Sequence, residues 1–77
     1  MVVGFVLVSV APGHEHEVYK GLMATKGVVE ATPLFGEYDF IVKLDVPTVD
    51  KLGEVVVSHV RRISGVRETK TLTATRL

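Results

Sequence analysis

The feature that most narrows what this chain can become is a pattern it carries twice. Gly27-Val28-x-Glu30-x-x-x-Leu34 recurs as Gly65-Val66-x-Glu68-x-x-x-Leu72, each time just after a stretch of helical periodicity. The match divides 77 residues into two similar halves, each too short to bury a core alone. The halves must pack on one another.

Within the first half, residues 2–10 are almost continuously apolar and β-branched, which predicts a strand covered on both faces. Pro12-Gly13 ends it. From His14 to about Lys26, Val18 and Leu22 lie one turn apart with Glu15, Glu17 and Lys20 opposite, an amphipathic helix closed by Gly27. A second strand follows over 28–35, and Gly36-Glu37-Tyr38-Asp39 reads as a hairpin connection. Phe40, Val42, Leu44 and Val46 alternate with Ile41, Lys43 and Asp45 in a third strand. Thr48 is the expected N-cap of a second helix, with Asp50 in its first turn and Leu52, Val56, Val60 and Ile63 as its buried stripe. Gly65 ends that helix. The fourth strand is expected over 66–76, with Arg67, Thr69, Thr71, Thr73 and Thr75 on one face and Val66, Glu68, Lys70, Leu72 and Ala74 on the other.

The order β-α-β-β-α-β predicts an α+β, ferredoxin-like domain: one four-stranded antiparallel sheet with two helices. Right-handed crossovers place both helices on one face and leave the other bare. Strands this apolar would expose a patch that soluble monomers avoid, so the bare face is expected to pack on a second copy. Nothing else would staple so small a fold. The chain has no Cys, hence neither disulfides nor a thiolate metal cage.

Composition removes further classes. Nine basic and nine acidic residues balance, and no basic stripe offers a nucleic-acid surface. Arg61-Arg62-x-x-x-x-Arg67 lies where basic groups complement a helix C-terminus. No apolar run approaches the ~20 residues of a membrane span. The apolar start lacks a basic leader and runs into Pro12-Gly13, so it reads as strand rather than signal, and a cytoplasmic location is expected. The absence of Asn, Gln, Cys and Trp hints at a thermophilic source.

No residue pattern points to catalysis: Ser9, Ser58 and Ser64 sit in no nucleophile motif. His14-Glu15-His16-Glu17 resembles a metal cluster on paper, but residues two apart on a helix point in different directions. A solvated first turn, its Glu residues complementing the dipole, is the simpler account, and His59 is a partly exposed spacer. Neither metal nor cofactor is expected. Gly36-Glu37-Tyr38-Asp39 is either a plain hairpin or a zwitterion site, with amides near Gly36 for a carboxylate and Asp39 for an ammonium group. The threonine row is either good strand composition or a set of hydroxyls able to orient a small polar ligand.

On these residues the chain resembles the effector-binding (RAM) domain of the Lrp/AsnC, or feast-famine, transcription regulators. The resemblance runs through Ala11-Pro12-Gly13, Glu17-Val18-Tyr19-x-x-Leu22 and Gly27-Val28-x-Glu30. It continues through Gly36-Glu37-Tyr38-Asp39-Phe40-Ile41-Val42-Lys43 and Ile63-x-Gly65-Val66-x-x-Thr69-x-Thr71, covering essentially all of residues 1–77. It implies a domain that dimerises through its sheet, assembles dimers into a ring, typically an octamer of four dimers, and binds an amino acid where dimers meet. Ligand contacts would then fall on Gly36, Tyr38 and Asp39 of the turn and on Thr71 and Thr73 of the last strand.

Regulators of this family carry a helix-turn-helix domain, whereas here Met1 leads straight into the first strand. A stand-alone domain is expected, without direct DNA contact, acting through itself or a full-length regulator of the family. Two alternatives stay open: a small dimeric ferredoxin-like enzyme of monooxygenase or isomerase type, and an oligomerisation module without a ligand.

Overall fold

Alternate positions of the first strand divide cleanly. Gly4, Val6, Val8 and Val10 are buried, whereas Val3, Phe5, Leu7 and Ser9, which alternate with them, are half-buried. In this computed structural model, which describes residues 1–75, the elements are β1 (Val2–Val10), α1 (Glu15–Met23), β2 (Val28–Pro33), β3 (Phe40–Val46), α2 (Val49–Ser58), a 3-10 turn (Val60–Arg62) and β4 (Val66–Thr73). They form one antiparallel sheet in the order β2-β3-β1-β4 with two helices, the ferredoxin-like arrangement.

The core is aliphatic. Val6 and Val8 of β1 meet Phe40, Val42 and Leu44 of β3, under Val18 and Leu22 of α1 and Leu52, Val55 and Val56 of α2. Each such side chain contributes roughly 1.5–3 kcal/mol by leaving water. Thr48 caps α2 as expected, its Oγ1 accepting from the Lys51 amide at 3.0 Å. Gly4 admits α2 to the sheet, since a Cβ there would lie 2.6 Å from Leu52.

Several boundaries fall short of their expected positions. α1 stops at Met23 because the Thr25 hydroxyl takes the Gly21 carbonyl at 2.8 Å and closes the last turn. β2 ends at Pro33, which has no amide to continue a ladder. The second helix breaks after Ser58, and Val60 is carried into the core by the 3-10 turn rather than by a continuous stripe. β4 ends at Thr73, while Arg76, the expected end of the last strand, lies outside the described residues.

Strict alternation also fails at the start of β4. A register shift pairs Val66 with Val10 and Glu68 with Ser9, so Arg67 is the extra residue. Val66 therefore packs against the core on the helix side, with Thr69 and Thr71, rather than sharing the face of Glu68.

No helix among the described residues is long and apolar enough to cross a membrane.

Candidate functional site

The turn from Leu34 to Asp39 is held by three hydrogen bonds. The Leu34 amide donates to the Asp39 carbonyl at 2.8 Å, and the Asp39 amide donates to the Val8 carbonyl at 2.8 Å. The Asp39 carboxylate accepts the Val10 amide at 2.7 Å through Oδ2. β1 outruns β3 at this end, so the Asp39 side chain stands in for the strand residue that Val10 lacks. One carboxylate oxygen of Asp39 is thus already engaged. Gly36 has φ +135°, a region open to glycine, and a Cβ there would meet nothing within 4 Å. The requirement for Gly36 is one of backbone conformation. Tyr38 is half-buried beside it, and Phe35 and Glu37 are exposed.

Thr71 and Thr73 lie elsewhere. Phe40 is level with Val8, Thr71 with Val6 and Thr73 with Gly4, on opposite flanks of β1. Strand spacing and rise put Thr71 about 14 Å from Asp39, and Thr73 farther. One protomer does not bring the two halves of the expected site together.

What Thr71 does join is a groove of ≈ 560 Å³ between α2 and β4. Gly53, Val57 and Arg61 form one wall, and Arg67, Thr69 and Thr71 the other. The groove exists because α2 sits over β1 and β3, leaving the helix side of β4 uncovered. Thr73 is exposed beyond its end. Gly53, Val57 and Arg61 were not singled out by sequence as a wall, since pairing a helix face with a distant strand needs the topology. The hydroxyls were legible; the Arg residues were read only as a helix terminus.

The face of the sheet opposite the helices carries Val3, Phe5, Leu7, Ile41 and Leu72, with Lys43, Asp45, Glu68 and Lys70 around them. Leu72 is 46% exposed. Asp45 Oδ1, at the margin, is shielded from solvent and has no hydrogen-bond partner among the described residues. Lys43 lies opposite Phe5 on the central strand β3, so the apolar surface of this face is interrupted by charge.

The histidine cluster resolves as a surface pair. His14 Nδ1 lies 3.1 Å from Glu17 Oε1 with both side chains exposed, and among the described residues no three His, Cys, Asp or Glu gather as a metal site. His59 is exposed.

The model of the Lrp/AsnC ligand binding domain matches residues 3–76. The chain belongs to this family. Its fold matches the crystal structure of FFRP-DM1 with a TM-score of 0.91 and 36% identity, covering 97% of this chain and 100% of that one. A hypothetical protein from Pyrococcus horikoshii matches with a TM-score of 0.89 and 35% identity, over 100% of this chain and 93% of that one. A transcriptional regulator from Neisseria meningitidis, solved as a complex with L-Met, shares the Lrp/AsnC ligand-domain fold at a TM-score of 0.88. Its identity is 14%, over 97% of this chain and 50% of that one. No curated protein matches.

Proposed function

We propose that this Lrp/AsnC ligand-binding domain is an amino-acid-sensing module that works through assembly with copies of itself. Family membership supports a ligand-binding role, and a regulator sharing the fold was solved with L-Met. The observation that carries the reading is the separation within one protomer. Gly36, Tyr38 and Asp39 lie about 14 Å or more from Thr71 and Thr73, too far for one amino acid to touch both sets. A site using both is therefore completed by neighbouring copies.

The bare sheet face supplies the first joint, a two-fold dimer, and dimers closing into a ring of four supply the second. At the completed site, amides near Gly36 hold the carboxylate, the Asp39 carboxylate meets the ammonium group, and Thr71 and Thr73 orient the remainder. Transcription would be affected indirectly, in the cytoplasm, through the state of assembly or through mixed assembly with a full-length regulator of the family.

Calorimetric titration with the common amino acids, alongside the solution mass, tests this. At least one amino acid should release heat and change the mass; no heat and no thermal shift with any of them contradicts the reading.

A second reading, an oligomerisation module without a ligand, is favoured by one observation: Asp39 already has a structural task at Val10. Asp39→Asn separates the two, because an amide oxygen still accepts from Val10 while the charge is gone. Sensing predicts roughly ten-fold or greater loss of affinity, the usual scale of a charge-assisted hydrogen bond, with the thermal midpoint nearly unchanged. Unaltered affinity removes Asp39 from the ligand site.

A further inference from the structure

Each helix carries one glycine in its interior, and only one of the two is explained by packing. Gly21 of α1 is required, since a Cβ there would lie 2.9 Å from Ile63. Gly53 of α2 is exposed, and a Cβ there would meet nothing within 4 Å. Glycine is a poor helix former, second only to proline, so this position gives up helical stability without gaining a close contact. What its missing side chain leaves open is the groove between α2 and β4.

Two arginines flank that opening. Arg61 comes from the 3-10 turn after α2, and Arg67 is the extra residue at the start of β4, where a bulge re-aims the side chain out of strict alternation. Both are exposed, and among the described residues neither guanidinium is in an ion pair. In a chain whose charges balance, two such groups on one groove are a local excess of positive charge. Glu68, the one carboxylate among the lining residues, lies opposite Ser9 and belongs to the other face of the sheet. Thr69 adds a hydroxyl from the helix side of β4, and buried Val56 with exposed Val57 supplies an apolar wall. The volume of ≈ 560 Å³ suits a small molecule, whose sites span about 300–1,000 Å³.

We propose that the groove between α2 and β4 binds a small oxyanion, a carboxylate or phosphoryl compound, with Arg61 and Arg67 as its clamp. Guanidinium forks match the oxygens of both groups, and the Thr69 hydroxyl donates a further hydrogen bond. The body of the ligand lies along Val56 and Val57, where Gly53 leaves room. One copy of the chain suffices, so this site stands apart from the turn at Gly36–Asp39 and from assembly. Thr71, which also lines the groove, is the residue the two sites would share.

Equilibrium dialysis of the wild-type chain against radiolabelled inorganic phosphate and succinate, at constant ionic strength in excess chloride, tests this. At least one should bind saturably at one anion per chain, and which of them binds names the class. Arg61→Gln and Arg67→Gln should each weaken binding roughly ten-fold or more, the scale of a charge-assisted hydrogen bond, with the thermal midpoint unchanged. Thr69→Val should weaken it by roughly five-fold, as for a neutral hydrogen bond. Gly53→Leu should raise the thermal midpoint, because leucine favours helix, yet weaken binding roughly ten-fold or more by occupying the groove. A purely structural glycine would show the first effect without the second, and that result overturns the proposal. So does failure of both anions to saturate, or unaltered affinity in the two arginine variants. Asp39→Asn should leave anion binding unchanged; its loss would place the anion at the turn and also overturn the groove site. If amino acids give no heat while an anion binds here, the sensing reading fails and this one stands.

Discussion

The two halves of the repeat begin alike and end on different edges. After α1, Gly27 has φ +102° and Val29 is the extra residue of an irregularity between Val28 and Glu30. After the 3-10 turn, Gly65 has φ +101° and Arg67 is the extra residue between Val66 and Glu68. The shared Gly-Val-x-Glu pattern is thus a local device: a left-handed glycine that turns the chain from helix to sheet, then a bulge that launches an edge strand. Beyond it the halves diverge. β2 buries Ala31 beside an aromatic hollow, whereas β4 presents threonines to an open groove flanked by Arg61 and Arg67. One motif repeated twice gives the sheet an apolar edge and a polar edge, suited to different occupants.

The glycines offer the largest effect. A Cβ on Gly65 would lie 2.6 Å from the His14 Cβ, whereas one on Gly27 would first meet Val46 Cγ1 at 3.1 Å. Gly65→Ala should therefore cost about 2–4 kcal/mol and Gly27→Ala about 1–2 kcal/mol, read from urea midpoints, since only Gly65 adds a severe clash to the same backbone strain. Equal losses would mean that backbone conformation alone sets both positions. The helix starts come next. Thr48→Ala should cost about 1 kcal/mol, because its hydroxyl caps α2. His14→Ala should change stability by less than about 0.5 kcal/mol, since His14 makes no side-chain cap, its pair with Glu17 is exposed, and Ala keeps the Cβ that faces Gly65. A comparable loss at His14 would show that the two halves are capped more alike than their geometry indicates.

Much of this was legible beforehand. Continuous apolarity gave β1, alternation gave β3, and Thr48 announced α2, because each depends on neighbours close in sequence. The helix break after Ser58 was hidden, since Val60 keeps helical spacing from Val56 and only the path to Gly65 requires a tighter turn. The bulge at Arg67 was hidden too, and it shifted Val66 to the helix side.

The candidate site was less legible still. Gly36, Tyr38 and Asp39 stand together as expected, but the second task of Asp39 depends on where β1 ends relative to β3. How far Thr71 and Thr73 lie from that turn depends on strand order, which no local pattern displays. Strand order puts β1 and β3 between them.

Self-assembly is the claim on which the rest depends, and sedimentation equilibrium of the wild-type chain, with and without a panel of amino acids, tests it most directly. The account predicts a mass of two or more 8.4 kDa chains, moved by at least one amino acid. A single 8.4 kDa species throughout, indifferent to every amino acid, would contradict it.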